Sequence, residues 1–433
     1  MRSRVDVVER LQSLSQSSRH LVADAKMPAF CSIVPVDTVQ SIPMLSRLAA
    51  PSISQFVVRR WLVLGYLALL TGLFWLANSS VYTKVFYGLV AFPALLALVH
   101  SPRRLSDLIR EPMLLAFLAL SAWLLLSLTW SGTEDDPGGL AKRPLYVFML
   151  FASCTLIALE DRELLLKALM AGAALAILAA LVNLAFYFME PPPGRRLIGV
   201  GALRNSLLTS HVFGMFCAYW IAVWLARDVR RDWIPLLCCV PLLVALIATG
   251  SRTPLMALAL MSVWMLIMTP RRAAYLLAAG LSLIAASYFA FPELLLQRGL
   301  SFRPQLWSDA LGQALQNLWF GYGYDSRFTF HAEGLGMSMS DPHNVELAVL
   351  LELGLVGLLF WLTMYGFGIW RCFSQRKDNG FKIASALLVY GIGAGLTEGS
   401  SFLSRPNESW FLIWIPLSLV AALSISQRAL DKQ

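Results

Sequence analysis

Long apolar runs alternate with short polar connections along most of this chain. Twelve runs stand out, at residues 61–77, 82–100, 112–130, 144–159, 164–189, 206–226, 233–249, 254–269, 273–291, 343–370, 382–397 and 409–426. About twenty apolar residues is the length of helix that crosses the hydrocarbon of a bilayer. The pattern therefore predicts an all-α polytopic membrane protein with about 12 transmembrane helices. Residues 1–55 read as an N-terminal tail, 56–291 as transmembrane helices 1–9, 292–342 as one large loop, 343–427 as helices 10–12, and 428–433 as a short C-terminal tail. Inside the large loop, Arg303 to Leu318 has the spacing of an amphipathic helix, with Leu306, Ala310, Leu311, Ala314, Leu315 and Leu318 on one side. It is expected to lie along the membrane surface. Gly321-Tyr322-Gly323-Tyr324 ends it, and a glycine-rich tip from His331 to Ser340 reads as a mobile cover.

Composition agrees with the pattern: 58% of residues are hydrophobic, 14% are charged and the mean hydropathy is +0.64. The six cysteines form no disulfide framework and no zinc spacing. The tail holds no apolar core long enough for a signal peptide, so the first span has to target the chain. Basic residues set the orientation. Alternate connections carry Arg103, Arg104 and Arg110, then Arg162 and Lys167, then Arg227, Arg230 and Arg231, then Arg271 and Arg272, then Arg371, Arg376, Lys377 and Lys382. Positive charge stays on the cytoplasmic side, so both termini are expected there.

The exceptions to that rule lie on the other face: Arg195, Arg196, Arg204, Arg252, Arg298, Arg303, Arg327 and Arg405, with Lys84, Lys142 and Arg143. Such charges oppose insertion and need a reason. Arg252, in Thr249-Gly250-Ser251-Arg252-Thr253-Pro254, and Arg204 and Arg405 sit hard against helix ends. Arginine's planar fork suits bidentate contact with phosphate, so Arg252, Arg303, Arg196 and Arg204 are candidates for binding a diphosphate headgroup. The alternative for any one of them is a loop arginine paired with Asp or Glu.

The polar loop ends at Asp341-Pro342-His343-Asn344-Val345-Glu346 and the tenth apolar run begins there, so a histidine is held where water meets hydrocarbon. Asp341 reads as the helix N-cap, Pro342 as the first helical residue and His343 as part of the first turn. At 3.6 residues per turn, Gly354 and Gly357 return to the His343 face, where small residues admit a neighbouring helix. The alternative is a capped membrane helix whose interfacial histidine reaches to water.

Arg303 at the head of the loop, with His343-Asn344, nine residues, then Gly354-x-x-Gly357 at its end, resembles the superfamily of O-antigen ligases and Wzy-type polymerases, bacterial envelope glycosyltransferases. Gly250-Ser251-Arg252 and the Arg196-Leu197-Ile198-Gly199 to Asn205 segment are similar to other recurring parts of that family, and the likeness extends from about residue 60 to 426. One departure is Trp307, which stands where ligases often have Leu in Arg-x-x-x-Leu. The resemblance implies a GT-C type enzyme of the inner membrane. It implies an undecaprenyl-diphosphate-linked polysaccharide as donor, a sugar hydroxyl of lipid A-core as acceptor, and a site facing the periplasm. It implies no nucleic-acid partner.

In that reading Arg252 and Arg303 stabilise the departing diphosphate. No carboxylate cluster for a metal stands out, so no cofactor is expected and the arginines take the role a metal often plays. His343, with an ordinary pKa of about 6.5, is the candidate general base, and attack from the opposite face inverts the anomeric centre. Asn344, Gly354 and Gly357 support the motif; Glu346 either orients the imidazole or packs the helix. A polymerase using the same donor is the alternative within the class, and a secondary transporter or lipid-linked oligosaccharide flippase the alternative outside it.

Overall fold

In a computed structural model the described residues are 53–432, apart from 193, 195, 228–231, 291–301, 332–337 and 400. The N-terminal tail, Arg195, Arg298 and most of the glycine-rich tip lie outside them. Helices stand at every one of the apolar runs: α1 (Val57–Trp75), α2 (Ser79–His100), α3 (Pro112–Ser127), α4 (Arg143–Glu160), α5 (Arg162–Met189), α6 (Ser206–Ala226), α7 (Ile234–Ala248), α8 (Thr253–Met268) and α9 (Pro270–Ala290). The loop contributes α10 (Arg303–Ala314), and α11 (Val345–Ser374), α12 (Asn379–Gly395) and α13 (Trp414–Leu430) follow. A two-stranded ribbon, β1 (Phe330–His331) with β2 (Ser338–Met339), pairs antiparallel inside the loop.

Six of these helices, α1, α2, α5, α6, α11 and the Pro137–Glu160 segment that contains α4, are long and apolar enough to cross a membrane. A seventh is α3 if the short helix Pro102–Ile109, bent 86° from it, is counted with it. α7, α8 and α13 are apolar too but shorter, at 15, 16 and 17 residues.

α6 is buried along nearly its whole length, which explains why its hydrophobicity shows no preferred face, and α13 is buried from Trp414 to Ser426. α13 packs along α4, α6 along α7 and α12, α8 along α12, and α11 along α3. Trp361, Trp410 and Trp414 fill the centre, the indoles of Trp361 and Trp414 meeting edge to face at 5.8 Å.

Polar side chains sort the connections onto two faces. On one, Arg59 and Arg104 hold Glu160 at 2.8 and 3.5 Å, Arg162 pairs with Asp378, Arg428 pairs with Glu111, and Arg272 donates to the Trp224 carbonyl at 2.6 Å. On the other, Arg204 donates to the Ala77 carbonyl at 3.0 Å, Arg196 to that of Thr249 at 2.8 Å, Arg143 to Asp325 at 3.1 Å and Arg303 to Glu398 at 2.7 Å. Each link joins alternate connections, as it must if successive helices run in opposite directions.

The large loop departs from expectation in two places. The buried side of α10 is Leu306, Ala310 and Ala314, packed on Leu350 and Leu351 of α11, while Leu311 and Leu315 are exposed. One expected stripe is thus divided between the protein and its surroundings. The tenth run is also not one continuous helix from residue 343: it starts at Val345 and is broken at Gly354, whose φ of 65° and ψ of −168° are non-helical.

Candidate active site

Asn344, not Asp341, caps α11. Its Oδ1 accepts the Leu347 N–H at 2.9 Å while its Nδ2 donates to the Leu396 carbonyl at 2.9 Å, so one side chain starts the helix and ties it to the α12–α13 connection. His343 therefore lies just before the helix, with a positive φ of 51°. Such a backbone is unfavourable for a residue with a Cβ and persists only where the surroundings enforce it. Here Asp341 Oδ1 accepts the His343 N–H at 2.7 Å, and the Trp307 indole donates to the Pro342 carbonyl at 3.1 Å. Trp307, the residue that departs from the family pattern, braces the loop that presents His343.

The imidazole meets a partner that the sequence reading did not single out. His343 Nδ1 lies 2.7 Å from Oε1 of Glu398, and Oε2 of the same carboxylate accepts from Arg303 Nη2 at 2.7 Å. A carboxylate only accepts, so Nδ1 carries the proton and Nε2 is left as the acceptor. The hydrogen bond to Glu398 raises the His343 pKa above its ordinary value. Burial pushes the Glu398 carboxyl up, but His343 and Arg303 outweigh it and hold the group below the usual carboxylate range. Glu398 is 6% exposed and the imidazole 22%, so the carboxylate is screened from water while the ring remains reachable.

Beneath this trio lies His211 of α6, also unforeseen because it is embedded in an apolar run. It is fully buried, its Nε2 is 3.3 Å from Thr253 Oγ1, and it interacts electrostatically with Glu398 and Arg303. Thr253 directly follows Arg252, which is exposed at the start of α8. Arg196 grips the same turn through Thr249, and the Leu197 N–H donates to the Ala248 carbonyl at 2.9 Å. The structure thus ties Arg196, the Arg252 turn, Arg303 and His343 into one neighbourhood. Arg204 is anchored separately, on the Ala77 carbonyl.

Three expectations need correction. Glu346 is not what orients His343, whose Nδ1 meets Glu398 instead. Gly354 does not admit a neighbouring helix on the His343 face. At the break the Leu355 N–H donates to the Leu318 carbonyl at 2.8 Å, while the Tyr322 and Gly323 N–H groups donate to the Leu351 and Glu352 carbonyls at 2.9 and 2.8 Å. A Cβ on Gly354 would stand 2.4 Å from the Trp319 carbonyl oxygen, and one on Gly321 would stand 2.5 Å from Glu352. Gly357 makes room for Leu353 of its own helix, 2.2 Å from where its Cβ would be. The glycines fasten the loop to a broken helix.

Two neighbouring cavities of about 760 and 520 Å³, with Asp135, Arg143, Asp325 and Ser401 in the walls of both, open between the α1–α2, α3–α4 and α12–α13 connections and the large loop. The second reaches Pro342, immediately before His343.

An O-antigen ligase from Pseudomonas aeruginosa is 43% identical over 375 residues, covering 86% of this chain and 93% of that protein. The chain belongs to the O-antigen ligase family. The family's O-Antigen ligase pattern matches residues 237–362, which run from α7 through Arg252, Arg303 and His343 and past the break in α11. A teichuronic acid biosynthesis protein, TuaE of Bacillus subtilis, is 26% identical over 243 residues, about half of each chain. As an O-antigen ligase the protein is a membrane glycosyltransferase of lipopolysaccharide biosynthesis, which decides against the polymerase and transporter readings.

Proposed function

We propose that this ligase transfers polysaccharide from undecaprenyl diphosphate to a sugar hydroxyl of lipid A-core, at a site facing the periplasm, with His343 as general base. The observation that carries the reading is the His343–Glu398–Arg303 array, in which one buried carboxylate holds both an imidazole and a guanidinium at 2.7 Å. With Nδ1 committed to Glu398, Nε2 takes the proton of the acceptor hydroxyl. The freed oxygen attacks the anomeric carbon as the bond from that carbon to the diphosphate oxygen breaks. The electron pair leaves with undecaprenyl diphosphate, and the configuration inverts. The imidazolium that forms is stabilised by Glu398, which keeps its negative charge through the step.

Arg303 both fixes Glu398 and faces the departing diphosphate. Its Nε is buried and makes no hydrogen bond among the described residues, a donor that a phosphate oxygen would satisfy. Arg252 and Arg196, joined at one turn, supply further charge on the leaving-group side. Arg204 acts at longer range, through the connection it anchors.

Twelve crossings with both termini cytoplasmic accommodate this placement. The reading is supported by the division of connections between two faces: the basic-rich set lies away from His343, and the set that includes Glu398 lies with it. The Gly321–Gly323 lacing holds the large loop on the His343 side.

The test is a strain lacking the gene, complemented with the parent or with His343→Ala. The parent is expected to restore a sugar ladder on lipopolysaccharide in a stained gel. The variant, at equal membrane abundance, is expected to leave bare core while lipid-linked polymer accumulates. A ladder with His343→Ala removes the base assignment.

A further inference from the structure

Three of the positive charges that oppose the topology rule, Lys84 in the first turns of α2, Arg143 at the start of α4 and Arg405 in the α12–α13 connection, have no part in the diphosphate site. The structure brings them together at the larger cavity, of about 760 Å³. They are not equivalent there. Arg143 is neutralised by Asp325 at 3.1 Å and Asp135 at 3.7 Å, and it donates to the Tyr324 hydroxyl at 2.9 Å. Lys84 and Arg405 have no ion pair among the described residues. Glu408, also in the wall, is buried, so Lys84 and Arg405 are the exposed and unpaired charges of the cavity.

Hydroxyl and amide groups line much of the rest: Ser79 and Ser80 at the start of α2, and Ser401, Ser404 and Asn407 before α13, with Tyr87 and Pro406 beside them. Donors and acceptors of this kind, next to the Tyr87 ring, match the hydroxyls and the apolar face of a sugar. Asp135, Arg143, Asp325 and Ser401 line this cavity and also the second one, which ends at Pro342. A bound saccharide can thus extend from Lys84 and Arg405 to the edge of His343. In-line displacement requires the acceptor and the leaving diphosphate on opposite faces of the anomeric carbon. The cations assigned to the diphosphate are those of the Arg196–Arg252 turn, whereas the cavities lie along the α1–α2, α3–α4 and α12–α13 connections.

We propose that this groove binds the acceptor saccharide and that Lys84 and Arg405 recognise anionic substituents, phosphate or carboxylate, on its sugars. The inference rests on the ligase reading with His343 as base. It assigns Lys84 and Arg405 to acceptor specificity and not to the chemical step. Both side chains are exposed, so their replacement leaves the packed interior untouched.

The experiment uses full-length protein in nanodiscs, lipid-linked polysaccharide at saturation, and two acceptors: lipid A-core with its phosphates and the same material dephosphorylated with hydrofluoric acid. For the parent, dephosphorylation is expected to raise the acceptor KM roughly tenfold, the scale of one or two charge-assisted hydrogen bonds. Lys84→Gln with Arg405→Gln is expected to raise KM for phosphorylated core by about as much and to abolish the difference between the acceptors, leaving kcat and the donor KM unchanged. A double variant that still discriminates between the acceptors overturns the proposal. So does a raised donor KM with an unchanged acceptor KM, which assigns the groove to the donor. Absence of transfer by the parent with either acceptor is a failure of the ligase reading itself. Direct titration of delipidated core oligosaccharide, without donor, reads the same discrimination without turnover.

Discussion

At the scale of single residues, the pivot is a carboxylate with two partners. Glu398 gives His343 its tautomer, its orientation and its raised pKa, and it gives Arg303 its position. A general base must be neutral to act, and a raised pKa keeps the imidazole protonated to higher pH. Activity is therefore expected to rise with pH through a midpoint above about 6.5, the ordinary histidine value. Glu398→Gln removes the cause of the rise, so the acidic limb of kcat/KM should move to lower pH while the plateau falls; a limb that stays in place separates Glu398 from the base. For Arg303 and Arg252, Lys keeps the charge but not the fork. Lys variants are expected to retain part of the transfer rate and Ala variants to lose about 10²-fold or more, as for other preorganised donors at a developing charge. His343 and both arginines stood out in the sequence because a charge at a membrane edge is conspicuous. Glu398 did not, because one acid in a short connection is ordinary until its contacts are known, and His211 did not because an apolar run gives no sign of what lies beside it.

At the scale of elements, the break in α11 matters most. Gly354 permits a backbone turn that lets four hydrogen bonds join the helix to the loop at residues 318–323. A side chain there meets both an unfavourable φ and the Trp319 carbonyl. Gly354→Ala is expected to cost roughly 1–3 kcal/mol and to lower the thermal midpoint of the purified protein. Because the lacing anchors α10, and α10 carries Arg303, transfer should fall along with stability. The glycine pair was visible in the sequence, but its use was not: the spacing of Gly354 and Gly357 is the same for two helices in contact and for one broken helix. Likewise the six apolar positions of α10 mark an amphipathic helix, and only the contact with Leu350 and Leu351 decides which of them are covered.

At the scale of the whole molecule, function depends on two faces. A cysteine placed at Asp135 is expected to react with a membrane-impermeant maleimide added to whole cells with permeabilised outer membrane. One placed at Lys377 should react only after the inner membrane is opened. Labelling of both from the same side contradicts the proposed orientation, whatever the activity of the variants. Mutual side-chain links within each face make the arrangement robust. Arg59, Arg104 and Glu160 tie together one side, and Arg143, Tyr324 and Asp325 the other.

The sequence by itself determined the helical membrane class, the twelve apolar segments, the large polar loop and the histidine and arginines that stand out from it. These are properties of local composition, since hydrocarbon selects apolar helices of a certain length and water selects their ends. Tertiary structure alone decided the partner of His343, the break at Gly354 and the meeting of Lys84, Arg143 and Arg405 at one groove. Each depends on residues far apart in the chain, from 29 positions for Tyr322 and Leu351 to 321 for Lys84 and Arg405, and nothing in a local pattern records which distant segment a helix end will face.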